Sequence, residues 1–233
     1  MLVIGHRGAG AYAPHNSRQA FVQAIAMGAD MIETDIRVTY DNIPVIYHDR
    51  DTLWGPIAAL TWEELHRYPL GNGEYILSLE EVLLLFGSKI RFNLEIKQIS
   101  LEKLEPVLNI LKKFPLDPLV SSFSIPILEE LSFLTNYQKA LLINKAMDPE
   151  KILGLMEHCQ VSILNLYYPL LDSHIAELVN GNDYQIIAWT DFHSEIWNPI
   201  ALYKKALELN CLGFITGKPN LLTEYLKFLK LRF

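Results

Sequence analysis

Apolar and polar positions along this chain follow two alternating periods. Short, nearly continuous apolar runs recur, and most lead into a stretch whose apolar positions repeat every three to four residues. The runs read as strands covered on both faces, and the stretches as helices packed on one side. Residues 2–5 form the first run. Asn16 or Ser17 can then cap a helix reaching Met27, with Gly28 as its stop. From Arg91 the alternation is regular. Runs at 91–97, 119–123, 139–144, 163–167, 185–190 and 213–216 precede helical stretches at 101–114, 127–134, 149–158, 172–179, 200–209 and 221–231. With the run at 31–36, eight strands are counted. A strand–helix unit repeated eight times over roughly 250 residues predicts a closed parallel TIM (β/α)8 barrel. An open doubly wound sheet is the alternative.

Two segments depart from the repeat. Residues 31–49 read as a strand, a turn at Tyr40-Asp41-Asn42-Ile43 and a returning strand. A two-residue hairpin there pairs Val38 with Val45, Ile36 with Tyr47 and Asp35 with His48. The returning arm runs antiparallel and so lies outside the barrel ring, an edge position that tolerates Pro44. Residues 49–77 carry turn signals at Trp54-Gly55-Pro56 and Gly71-Asn72-Gly73, with capping boxes at Thr61 and Ser78. They read as a small insertion within one domain, residues 1–233.

Half of the 233 residues are hydrophobic, enough for one sizeable core. The formal net charge of −7 and the lack of a Lys/Arg run argue against nucleic acid as a partner. Cys159 and Cys211 have neither metal nor disulfide-framework spacing, which suits a cytoplasmic, reducing compartment. No signal peptide is expected at the start, and no apolar run reaches the ~18 residues that span a bilayer. Oligomeric state is not legible.

A barrel of this kind collects its chemistry at the C-terminal ends of its strands. His6 and Arg7 end the first strand, Glu33 and Asp35 the second, Glu95 and Lys97 the third. Ser121, Ser122, Asn165, Trp189, Thr190 and Thr216 fall near the ends of later strands. Glu33 and Asp35, two apart in a strand, share a face. Three carboxylates without nearby thiols suit Mg²⁺, Ca²⁺ or Mn²⁺ better than zinc. The competing use of these acids is pairing with Arg7, Arg37 and Lys97. His6 and His48 suit general acid and base work. Arg7 and Lys97 suit a phosphate. Trp189 either walls a pocket or fills the core. His66, His158, His174 and His193 are expected at the surface.

These blocks resemble the glycerophosphodiester phosphodiesterase family. HRGAGAYAPHNSRQAF is similar to the family's H-R-G…A-P-E-N-T…A-F, and ETDIRVTYDNIPVIYHD to its E-x-D-V-x-x-T-x-D-x-x-P-V-x-x-H-D. NLEIK, VSSF, AWT and GFITGKP follow in family order, from residue 4 to residue 219. The resemblance implies a TIM barrel with a small insertion and a divalent metal, Mg²⁺ or Ca²⁺, on Glu33, Asp35 and Glu95. It implies His6 and His48 as the acid/base pair, and Arg7 and Lys97 on the phosphate. The implied reaction cleaves a small glycerophosphodiester to glycerol 3-phosphate and an alcohol. His15 stands where the family has glutamate and Gly217 where it has aspartate, and the loop 50–55 is shortened. Two other readings are carried forward. One is the same cleavage on a lysophospholipid at a membrane, suggested by the last helix although membrane association is not the expected state. The other is a non-catalytic phosphate- or polyol-binding module.

Overall fold

The computed structural model describes residues 1–114, 116–132, 137–192 and 198–230. The first strands are β1 (Leu2–His6), β2 (Met31–Val38) and β3 (Pro44–Ile46). Five short strands follow: β4 (Asp51–Thr52), β5 (Gly55–Pro56), β6 (Pro69–Gly71), β7 (Glu74–Tyr75) and β8 (Leu77–Ser78). The rest are β9 (Arg91–Ile96), β10 (Leu119–Ser122), β11 (Gln138–Ile143), β12 (Ile163–Tyr167), β13 (Gln185–Trp189) and β14 (Gly213–Thr216). Strands β1, β2 and β9 to β14 pair in parallel, and β1 pairs with both β14 and β2. The sheet therefore closes into an eight-stranded (β/α)8 barrel. The open-sheet alternative is excluded by that closing pair.

Closure sorts the side chains into two populations. Ile4, Met31, Leu119, Ala140, Ile163, Ile187 and Ile215 point inward and fill the barrel. The alternate positions, such as Val3, Ile32, Phe92, Val120, Leu141, Leu164, Ile186 and Phe214, point outward under the helices. This is why the strands read as continuous apolar runs.

The helices start where their caps predict. Ser17 accepts from the Ala20 N–H, Asp148 from Glu150 and Asp172 from Ile175. Thr61 and Ser78 both close capping boxes. The helix expected at 127–134 begins earlier, at Ile125, because Pro126 fits its first turn. The expected ends at Leu134 and Leu231, and His193, lie outside the described residues. The last helix, Pro219–Phe228, buries Leu222 and Leu226 in the barrel's outer core. Among the described residues, no helix is long and apolar enough to cross a membrane.

The hairpin register differs from expectation by one residue. Ile36 pairs with Ile46, Arg37 with Val45 and Val38 with Pro44. The loop holds three residues rather than two. Asn42 sits in the left-handed region at φ 67°, and Thr39 pairs with Ile43 through an Ile43 carbonyl bond of 3.1 Å. A type I turn followed by a left-handed residue lengthens the loop and shifts every later pair. Asp35 therefore stands opposite Tyr47, whose N–H donates to the Asp35 carbonyl at 3.0 Å. The expected Asp35–His48 pair does not form. Nor is β3 a bare edge, since β8 pairs with it at Val45 and Ile46. Pro44 is tolerated as the first residue of the strand. Beyond β3, Val45, Ile57, Leu65, Tyr68 and Ile76 form a separate small core.

Candidate active site

The parallel register assembles the rim from its parts. His6 of β1 is the ladder partner of Glu33, and Asp35 of β2 is the partner of Glu95. All three carboxylates are buried, at 4%, 1% and 7% exposure, and one oxygen from each lies within 4.8 Å of the others. Glu33 and Glu95 border an open cavity of about 540 Å³ at the C-terminal mouth of the barrel, and Asp35 lies behind them. Its lining also includes His6, Arg7, His48, Lys97 and Trp189, so every sequence-predicted site residue but Asp35 lines this cavity, and Asp35 belongs to the carboxylate cluster at its wall.

Arg7 is held in an unusual backbone conformation, with φ 53°, followed by Gly8 at φ 84°. Left-handed geometry costs a side-chain-bearing residue about 1–2 kcal/mol, and such strain collects at sites whose surroundings enforce it. Here the turn lets the Arg7 N–H donate to Glu33 Oε2 at 3.0 Å while its Nε lies 3.3 Å from Asp35 Oδ2. Gly8 has no substitute, since a Cβ would meet the Ala20 carbonyl carbon at 2.6 Å.

Lys97 binds Glu95 and lies 2.7 Å from Asp35 Oδ1. Those two acids raise its pKa against the opposing effect of burial. Burial opposes ionisation of Asp35, but Lys97 and Arg7 prevail and hold its carboxyl well below the usual range. Among the described residues, no lysine or arginine side chain forms an ion pair with Glu33, whose ion-pair partner is His6 Nε2 at 4.0 Å. Burial and the charges of Asp35 and Glu95 push its pKa well above normal. Burial likewise raises Glu95. Fully ionised, the three acids would carry one more negative charge than Lys97 and Arg7 compensate. Burial and that excess favour the neutral forms of Glu33 and Glu95 unless a further cation joins them, and the donors are oxygen only. A hard divalent cation such as Mg²⁺ or Ca²⁺ fits that donor set.

His6 is buried, and burial drives its pKa well below the ordinary imidazole value. Its ring stacks on Phe192 at 4.4 Å and 8°, and Phe192 stacks on its other side against His15 at 4.3 Å. Gly10 leaves the space for that ring, since a Cβ there would meet it at 2.8 Å. His15 Nδ1 in turn lies 3.2 Å from Arg7 Nη1. His48 is half-buried, and burial lowers its pKa too. It reaches the cavity despite the shifted register, because β3 ends at Ile46 and the chain leaves the ladder. Arg37 Nε donates to the His48 carbonyl at 2.9 Å, and His48 Nδ1 lies 2.7 Å from Asp49 Oδ1.

Some positions expected at the rim serve elsewhere. Ser122 donates to the Ile96 carbonyl, and Thr216 pairs with Tyr203 on the outer side. His158 and His174 are exposed, whereas His66 is half-buried against Trp62. Conversely, Asn16 is more than a helix-cap candidate. At φ 59° it turns inward and donates to Asp35 Oδ2 at 2.8 Å, and it accepts from Thr34 Oγ1 at 2.7 Å. Its place in the A-P-x-N block was the available signal. Phe192 had none.

Comparison with known proteins agrees with this geometry. The sequence model described as "Glycerophosphoryl diester phosphodiesterase family" matches residues 6–221. A putative glycerophosphodiester phosphodiesterase of Bacillus subtilis, YhdW, is 30% identical over 215 residues, spanning 82% of this chain and 86% of that one. A glycerophosphodiester phosphodiesterase of Caldanaerobacter subterraneus is 28% identical, covering 97% and 98%. Among solved structures, the Thermotoga maritima glycerophosphodiester phosphodiesterase superposes with a TM-score of 0.79 at 27% identity, over 100% of this chain and 99% of that one. An Oleispira antarctica phosphodiesterase, solved with the product sn-glycerol-3-phosphate, gives 0.85 at 22% identity, over 97% of each.

Proposed function

The chain belongs to the glycerophosphoryl diester phosphodiesterase family and is a phosphoric diester hydrolase; from that premise we propose that it cleaves soluble glycerophosphodiesters to glycerol 3-phosphate and an alcohol, with a divalent ion at Glu33, Asp35 and Glu95. The observation that carries this reading is a cluster of three buried carboxylates, two of which line one cavity together with two imidazoles and two cations. The ion, Mg²⁺ or Ca²⁺, would draw charge from the phosphate oxygens and favour ionisation of a bound hydroxyl.

The chain's own residues do the rest. Arg7 and Lys97 border the space beside the acids and would hold the phosphate oxygens. Trp189 forms part of the cavity wall and would pack against the substrate. Its indole Nε1 donates to the Asn165 carbonyl at 3.3 Å. The Asn165 side chain is buried and makes no protein hydrogen bond among the described residues, as does Asn93 Nδ2. Both border the cavity and suit the glycerol hydroxyls.

The two histidines differ in environment. Burial keeps His6 neutral near pH 7, which suits a base that takes the proton of the attacking hydroxyl. Burial lowers the pKa of His48 as well, but Asp35 and the Asp49 contact at Nδ1 oppose that shift, so of the two imidazoles His48 is the one placed to carry a proton to the departing alcohol. Attack by the glycerol 2-hydroxyl would give a cyclic phosphate, which water then opens with the roles reversed.

The product distinguishes this reaction from its alternatives. Incubation with glycerophosphoethanolamine is expected to yield glycerol 3-phosphate and ethanolamine in equal amounts. Release of glycerol and phosphoethanolamine, or tight binding without turnover under either ion, would overturn the reading.

A further inference from the structure

A phosphodiester has two ester arms, and the cavity accounts for one. A second, shallower groove opens from its rim. It shares His48, Glu95, Lys97 and Phe123 with the cavity and continues along Arg37, Gln98 and Ser124. The two compartments differ in chemistry. Beyond the charged groups at its mouth (Arg7, Lys97, Glu33 and Glu95), the cavity offers uncharged amides and apolar walls, whereas the groove adds a further guanidinium, that of Arg37, beside Glu95 and Lys97.

Arg37 projects from β2 beyond Asp35, in the stretch where β2 pairs with β3. Its Nε is fixed by the His48 carbonyl at 2.9 Å. That bond orients the planar group and leaves its terminal nitrogens without another protein hydrogen bond among the described residues. No carboxylate among them lies within 4.0 Å of it. Of the four acids whose charge reaches it, Asp35 and Glu95 pair with Lys97 and Asp49 with His48, while Asp51 is exposed and lies beyond ion-pair distance. Such a fork, oriented and half-buried, matches a carboxylate or phosphate.

We propose that this groove seats the alcohol arm of the diester and that Arg37 selects an arm bearing an anion, a carboxylate or a phosphate. The proposal rests on the hydrolysis reading above. Phe123, 39% exposed and edge-on to Trp189 at 6.0 Å, divides the two arms and packs against the carbon skeleton of whichever is bound.

Glycerophosphoserine and glycerophosphoethanolamine form a matched pair that differs by one carboxylate. The native protein is expected to favour the serine diester in kcat/KM by about tenfold or more. Arg37→Gln should bring that ratio close to one, and Arg37→Lys should keep part of it. A third diester whose alcohol ends in a phosphate monoester shows which anion the groove prefers, and a strong Arg37 dependence of either supports the assignment. A parallel fall for both members of the pair would overturn it, since Arg37 would then act only by holding His48. Equal native rates would overturn it as well. Calorimetric titration of the His6→Gln variant with the pair reads the same preference without turnover. A failure of hydrolysis is therefore distinguishable from a failure of selection.

Discussion

His6→Ala and His48→Ala each lower kcat for glycerophosphoethanolamine by about 10²–10⁴-fold, the range expected for loss of a positioned acid or base. The two losses differ in kind. A glycerophosphodiester with a 4-nitrophenyl arm has a leaving group that departs without a proton. On that substrate His48→Ala should recover most of its rate, while His6→Ala should remain impaired, because the attacking hydroxyl still needs its base. Similar deficits for both variants on both substrates would contradict this division of labour. The division follows from environment. His6 lies under Phe192 and is 7% exposed, while His48 is half-buried with a carboxylate at its Nδ1. Phe192 stacks on the His6 ring, and burial and Arg7 together lower that imidazole's pKa.

The second large effect concerns stability. Lys97→Met is expected to destabilise the ion-free protein by about 3–5 kcal/mol, the cost of leaving buried charge without its partner. The Lys97 side chain is 11% exposed and lies between Asp35 and Glu95. Its removal leaves three acids in one pocket with Arg7 as the only described cation still paired there. Saturating Mg²⁺ or Ca²⁺ should reduce the deficit, since a bound cation offsets the same charge. Urea unfolding with and without chelator measures both quantities. The pH dependence has a definite sign. The folded pKa of Lys97 is raised, so its contribution is complete below the unfolded value of about 10.4 and is lost only as pH rises through the folded value. The titration of Lys97 itself therefore adds no pH dependence near neutrality, and the deficit of the variant should shrink as pH falls and the acids it leaves unpaired take up protons. A deficit below about 1 kcal/mol would show that the acids are relieved in some other way.

Much of this arrangement is legible in the residues. The eight strands are apparent because a barrel strand is covered on both faces and must be apolar nearly throughout. Polar residues within it stand out, and strand direction places Glu33, Asp35, Glu95 and Lys97 at one end. The hairpin register is not legible to one residue. It depends on whether Asn42 adopts the left-handed region, which Tyr-Asp-Asn-Ile permits but does not require. Asn16 is hidden by its neighbour: Ser17 takes the cap that either could have taken, and this frees Asn16 to turn inward to Asp35. Phe192 and Arg37 depend on chain closure. The loop after β13 meets β1 only when the barrel is complete, and Arg37 reaches the His48 carbonyl only in the observed register.

The central claim is that the three buried acids hold a divalent ion required for cleavage. Its most direct test is to strip the protein with chelator and follow glycerol 3-phosphate release while Mg²⁺ or Ca²⁺ is restored. The account predicts near-complete loss on stripping and saturable recovery, with Glu33→Gln moving the midpoint to at least about tenfold higher ion concentration. Full activity in stripped protein that retains no bound ion would contradict it.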